Sequence, residues 1–240
     1  MPGYAPYAGP REFYQEGRTT VDLDSADGFI VVNDAGNIFT LPTAAALATE
    51  IVSSDAVDAS AGTGAQTVRV AGLDANFEYV EQDATMNGAT SVDLATPLRR
   101  VLSMRVLTAG SGNQNAGAID VRLAADTVVA RMLIGNNYTS LGFFTVPEGT
   151  NMRLLRFGGR LNAVDAVTPA ISVRLMIRRD AGAIAEIKAT LGQEGALEQQ
   201  RIEQTFKNYV LPGRTDIYLM VDTDTDDTLF HGFLELEAVR

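Results

Sequence analysis

Cysteine and tryptophan are both missing from this 240-residue chain, and histidine occurs once. Without cysteine there are no disulfides, no thiolate metal sites and no cysteine nucleophile. Stability has to come from packing, from subunit contacts or from a hard cation. With His231 as the single histidine, any triad, metal cluster or proton shuttle built on two imidazoles is excluded. Beside Gly232, at the start of a terminal strand, it reads as a structural residue. Long apolar runs are missing too: none approaches the ~20 residues of a membrane helix. The first residues, MPGYAPYAGPREFYQEG, lack the basic start and apolar core of a signal peptide. The expectation is a soluble protein made in a cytoplasm, with no membrane partner.

Positive charge is scarce. Nineteen basic residues face thirty acidic ones, a net charge of −11 that repels a phosphate backbone. The pairs Arg99–Arg100 and Arg178–Arg179 are too isolated to line a groove, so no nucleic-acid partner is expected. Catalytic patterns are equally sparse. Neither Gly62–Gly64 nor AGSGNQNAG carries a phosphate-loop pattern, and no G-x-S-x-G elbow occurs. Glu235 and Glu237 fall on one face of an edge-like strand, where they keep that edge soluble. Nothing in the sequence predicts that they are desolvated, as an acid–base pair requires. The sequence therefore reads as a non-enzyme without a cofactor.

What is present is a globular composition, 46% hydrophobic and 20% charged, in a chain long enough to bury a real core. Residues 1–28 stand apart. Pro2, Pro6 and Pro10 alternate with Tyr4, Tyr7, Phe13 and Tyr14, which favours an extended N-terminal arm. Those four aromatics are the expected interface anchors on a neighbouring subunit. After the arm, short alternating strands and turn signals dominate. FIVVNDAGNIFTL reads as a hairpin around Asn33–Asn37, and TAAALATEI as the best short helix. TVRVAGLDANFEYVEQDATMNGATSVDL holds turns at Gly72–Asn76 and Asn87–Gly88, and VLSMRVLTAGSGNQNAGAIDVRL reads as a strand pair around Gly110–Ala116. The later half repeats the character, with turns at Pro147–Gly149 and Asp180–Gly182, while Gln193–Gln204 reads as a helical turn or long loop.

TVRVAGLDANFEYVE is echoed by SVRLMIRRDAGAIAEIK, which suggests two β modules joined around Ala125–Ala130. The expected fold is all-β: two tandem β-sandwich, jelly-roll-like modules over 29–125 and 126–240. Near the end, VDTDTDDT offers Asp222, Asp224 and Asp226 as Ca²⁺ ligands. Counted as an EF-hand loop from Asp222, position 6 is Asp227 instead of Gly and position 12 is Phe233 instead of Glu. The flanks read as strands, so an acidic turn capping its own backbone is the preferred reading.

Several stretches in this order carry a resemblance. Gly72-Leu73-Asp74, Met86-Asn87-Gly88, Asn115–Ile119, Val146–Gly149 and Leu211–Ile217 resemble recurring elements of a family of virion structural proteins from tailed bacteriophages, common in marine and cyanobacterial phages. The likeness runs from about Ser60 to the end; Met86 and the Pro/Tyr-rich segment depart from the family pattern. It implies a virion role, most simply a cement or decoration protein on the capsid exterior. The implied partners are the major capsid protein or other virion proteins and further copies of itself, as a homo-oligomer, most simply a trimer. A neck, tail or head-fibre component is the alternative. A host-surface carbohydrate-binding module is a third reading, against which the lack of tryptophan counts.

Overall fold

The computed structural model describes residues 12–19, 23, 29–33, 46–124, 126–163, 170–179, 184–193, 201–224 and 228–239. Among these residues the only regular elements are strands, arranged in antiparallel sheets. The chain forms two compact units, Ile38–Thr139 and a second made of Met1–Asn37 with Ser140–Arg240. The first is thus an insertion within the sequence of the second, a different division from the expected modules at 29–125 and 126–240.

In chain order, β1 (Glu12–Arg18) and β2 (Ile30–Val31) belong to the split unit. The inserted unit holds β3 (Ala48–Ser53), β4 (Ala65–Leu73), β5 (Tyr79–Thr85), β6 (Val92–Leu98), β7 (Arg100–Ala109), β8 (Ile119–Leu123) and β9 (Val128–Met132). The split unit resumes with β10 (Phe143–Thr145), β11 (Asn151–Ala163), β12 (Ile171–Arg179), β13 (Glu186–Gln193), β14 (Arg201–Leu211), β15 (Thr215–Thr223) and β16 (Thr228–Val239).

The inserted unit is β-sandwich-like, with sheets ordered β6-β3-β8-β9 and β5-β4-β7. Strand alternation decides which side chains go inside: along β4, Val68 and Val70 are buried while Arg69 points out to Asp83 at 2.7 Å. They join Ile51, Leu98, Met104, Ile119, Val121 and Met132 in one apolar cluster drawn from both sheets. The expected helix around TAAALATEI is corrected over its described part. Ala48–Ser53 is the strand β3, hydrogen-bonded between β6 and β8, because the run through Ile51 and Val52 supplies β-branched side chains to a central, buried position.

The strand pair expected around Gly110–Ala116 is corrected as well, whereas the turns expected at Asn87–Gly88 and Pro147–Gly149 do join strands. The β4–β5 and β12–β13 hairpins form, which places the two echoing segments on corresponding hairpins. The strands around Gly110–Ala116, Asn87–Gly88 and Pro147–Gly149, by contrast, belong to different sheets. Such turns carry the chain from one layer to the other; an alternating pattern and a turn cue look the same in either case.

A buried carboxylate organises one of these crossings. Asp58 is 0% exposed, accepts hydrogen bonds from the Ser53 hydroxyl (2.6 Å) and the Ala65 amide (2.6 Å), and reaches the Ala116 and Gly117 amides at 2.9 and 2.8 Å. Close by, Asn115 donates to the Gly117 and Leu133 carbonyls and exchanges backbone–side-chain bonds with Asn137. The seven-residue loop therefore has a fixed shape.

The split unit is also β-sandwich-like, with sheets β1-β16-β11-β14 and β10-β15-β12-β13, and β2 on β15. The extended arm expected to dock on a neighbouring subunit is corrected where it is described. Glu12–Arg18 pairs along its whole length with β16 of the same chain. Phe13, expected on a neighbour, is 8% exposed and lies 4.5 Å from Phe144 of the opposite sheet. The prolines all precede Glu12, so nothing interrupts the ladder from there on. Tyr4 and Tyr7 lie outside the described residues.

Glycine lets the layers meet. In register across three strands stand Gly17, Gly232 and Gly159. A Cβ at Gly17 would sit 2.3 Å from the Gly142 nitrogen, and one at Gly159 2.1 Å from the Phe230 ring. A side chain at Gly17 would push against the opposite layer, and one at Gly159 against the neighbouring strand β16.

Asp58→Ala leaves three backbone amides without their acceptor, each costing roughly 1–3 kcal/mol. Chemical denaturation is expected to show a loss of about 4 kcal/mol, with Asp58→Asn recovering part of it. An unchanged midpoint contradicts the organising role.

Candidate functional site

The outer face of β1-β16-β11-β14 carries an unusual concentration of aromatic and basic groups. Alternation turns Phe13 and Gly17 of β1 inward and Glu12, Tyr14 and Glu16 outward. On β16 the same rule sends Phe230, Leu234 and Leu236 into the core and His231, Phe233, Glu235 and Glu237 to the outer face. Phe233 is nevertheless only 5% exposed. Tyr14 stacks on it (5.9 Å between centroids, 17° between planes), and the guanidiniums of Arg201 and Arg156 lie 4.6 and 5.5 Å from its ring centre. Cation–π attraction and stacking together cover an apolar ring on a face that alternation gives to solvent.

Ion pairs within and across strands hold this arrangement. Arg156 bonds to Glu235 and reaches Glu203 at 3.5 Å; Arg201 reaches the same Glu203 at 2.8 Å; Arg153 pairs with Glu237 at 3.3 Å. The reading of Glu235 and Glu237 as solvating an edge is thereby corrected. β16 lies between β1 and β11, and both carboxylates are partners of β11 arginines.

Beside Phe233 the face sinks into a depression of about 220 Å³ lined by Tyr14, Glu16, Arg160, Arg201, His231 and the backbone of Gly159 and Gly232. Among the described residues Arg160 has no carboxylate partner. Tyr14 is 55% exposed although one side of its ring is covered. Partial burial, and then the nearby Glu16 carboxylate, raise its phenol above the ordinary 10.0. His231, read from sequence as structural, is a wall of this depression.

The aspartate-rich turn behaves differently. Asp222 lies in β15 opposite Ser172, and Asp224 accepts the Ala170 amide at 2.7 Å while its own amide returns to the Ala170 carbonyl at 3.2 Å. Asp226 lies outside the described residues. The segment links strands of opposite sheets, and among the described residues no three His, Asp or Glu side chains converge as a metal site would need.

The residues behind the phage resemblance occupy fold-setting positions. Gly72 has the Arg100 carbonyl where a Cβ would be (2.3 Å), Leu73 is fully buried, and Asp74 caps the amides of Asn76 and Glu78 at 2.8 and 2.9 Å. Gly88 and Gly149 have φ of +62° and +69°. Asp216, within LPGRTDI, is buried and held by Arg178 (2.6 Å) and Thr145 (2.6 Å). None of these residues lines the depression. Sequence reading singled out Tyr14 but missed Arg160, Arg201 and Phe233. The available signal was the outward parity of Tyr14, His231 and Phe233, once β1 and β16 are paired.

Neither a family model, nor a curated protein, nor a solved structure matches this chain.

The raised Tyr14 phenol has a sign. Its unfolded counterpart ionises first as pH climbs past 10, so this group's contribution to stability is complete below that pH and is lost above it. Ultraviolet titration of wild type and Tyr14→Phe is expected to differ by one phenolate step lying above pH 10. A missing step at or below 10 contradicts the stacked geometry.

Proposed function

We propose that the chain is a non-enzymatic structural component of a tailed-bacteriophage virion, serving as a cement or decoration protein on the capsid exterior. The observation that carries this reading is the ordered set of elements from Gly72-Leu73-Asp74 to Leu211–Ile217, which resembles that virion family. Those residues also fix turns, layer crossings and buried contacts in two β-sandwich-like units. A likeness at fold-setting positions is a likeness of architecture, which is what a structural protein has to preserve.

The physical character agrees. Polar groups that burial would make reactive are instead tied into the fold: Asp58 to backbone amides, Asp120 to Arg131 at 2.6 and 2.8 Å, and Asp216 to Arg178. A net charge of −11 suits a surface that stays clear of packaged nucleic acid. In this reading the units are jelly-roll-like, the partners are the major capsid protein and further copies of the chain, and three copies sit around a local symmetry axis of the shell. Tyr4 and Tyr7 remain the anchors of the segment that precedes β1.

Quantitative mass spectrometry of purified particles tests the assignment. A cement protein is expected at a copy number comparable to that of the major capsid protein. A handful of copies per particle moves the chain to the neck, tail or head fibre, and absence from particles ends the virion reading.

A further inference from the structure

The depression on the outer face of the split unit combines three features. First, Arg160 presents a guanidinium with no carboxylate partner among the described residues, in a chain whose acidic residues outnumber its basic ones by eleven. Arg160 is in register with Arg201 on one neighbouring strand and with His231 on the other, and Glu16 is the one acidic lining residue. This is a locally basic hollow on an acidic protein, and it selects an anion. Guanidinium geometry favours a carboxylate, which it binds through two parallel N–H donors.

Second, the wall next to these cations is an aromatic platform. Tyr14 is held flat against Phe233, so its orientation is fixed before anything binds, and more than half of its surface is open. A fixed ring of this kind matches a ligand with a flat, weakly polar face of its own; an acidic peptide side chain uses the guanidinium and leaves the ring bare. Third, the hollow of about 220 Å³ is smaller than the sites that take drug-sized ligands. It has room for one ring.

We propose that this depression is a binding site for an acidic monosaccharide unit of the uronate class, with the carboxylate on Arg160 and the sugar's C–H face on Tyr14. The hydroxyls fall to Glu16 and His231. The site is independent of the chain's copy number in a particle and of the virion assignment itself. The missing tryptophan is no obstacle, because Tyr14 backed by Phe233 supplies the platform.

Saturation-transfer and two-dimensional NMR of the full chain with D-glucuronate, D-glucose and N-acetylglutamate amide is the test. Glucuronate is expected to bind, with shifts confined to residues around Tyr14, Arg160 and His231. Glucose should bind about tenfold more weakly, since it lacks the charge-assisted hydrogen bonds. The acidic amino-acid amide should bind about tenfold more weakly too, since it cannot cover the ring. Arg160→Gln is expected to reduce glucuronate binding to the level of glucose, and Tyr14→Ala to weaken both sugars alike. Both side chains are exposed, and an unchanged amide spectrum elsewhere verifies that each variant is folded. Equal binding of glucose and glucuronate, equal binding of the amino-acid amide, binding unaffected by Arg160→Gln, or no binding of glucuronate each overturns the proposal.

Discussion

The pairing of β1 with β16 is the constraint on which the split unit depends. It makes a three-stranded arrangement four-stranded, carries Phe13 onto Phe144, and brings Gly17 into line with Gly232 and Gly159. Burying a phenylalanine contributes about 2–3 kcal/mol, but the glycine row matters as much. Without it the backbone at Gly142 and the Phe230 ring have no space beneath the sheet. The ladder extends beyond its last strand residue, with the Thr19 amide on the Phe230 carbonyl at 2.8 Å and the Thr19 hydroxyl accepting the Phe230 amide at 2.9 Å. On its other side the same pairing sets Tyr14 over Phe233 and creates the wall of the depression. One strand addition thus closes a core and builds a site.

The inserted unit solves a different problem, that of irregular backbone between its layers. Its loops would leave amides buried without partners, and those amides are satisfied by side chains: Asp58 for Ala65, Ala116 and Gly117, and the Asn115–Asn137 pair for the segments around them. A short polar side chain that donates or accepts at backbone distance is therefore informative here about shape. The Asn115–Ile119 element reads the same way. Asn115 is fully buried, Gly117 has the Asp55 amide 2.5 Å from a Cβ it lacks, and Ile119 enters the core.

Much of this was legible in the sequence. Alternation at Val68-Arg69-Val70 and the turn residues around Asp74 gave strands and hairpins correctly, because those cues act within a few residues. What was illegible depends on distant partners. The Gly110–Ala116 turn looks the same whether the next strand pairs with the last or crosses to the other sheet. TAAALATEI carries a good helical composition, yet Ala48–Ser53 is claimed by β6 and β8, which come later in the chain. The N-terminal segment was read by its prolines, and EFYQEGR, which follows them, shows itself as a strand only beside β16. For the site, Tyr14 was recognisable as an exposed aromatic, whereas Arg160 and Arg201 join it only through a register that links opposite ends of the sequence.

The account rests on β1 being an integral strand of its own chain, and amide hydrogen exchange on the isolated protein tests this most directly. The amides of β1 that are bonded to β16 are predicted to exchange slowly, at rates comparable to those of β16 and β11. Exchange of Phe13 through Gly17 at the rate of an unstructured peptide, with β16 still protected, would show that the strand belongs to a neighbouring copy or to no sheet at all, and would contradict both the closed core and the depression built on it.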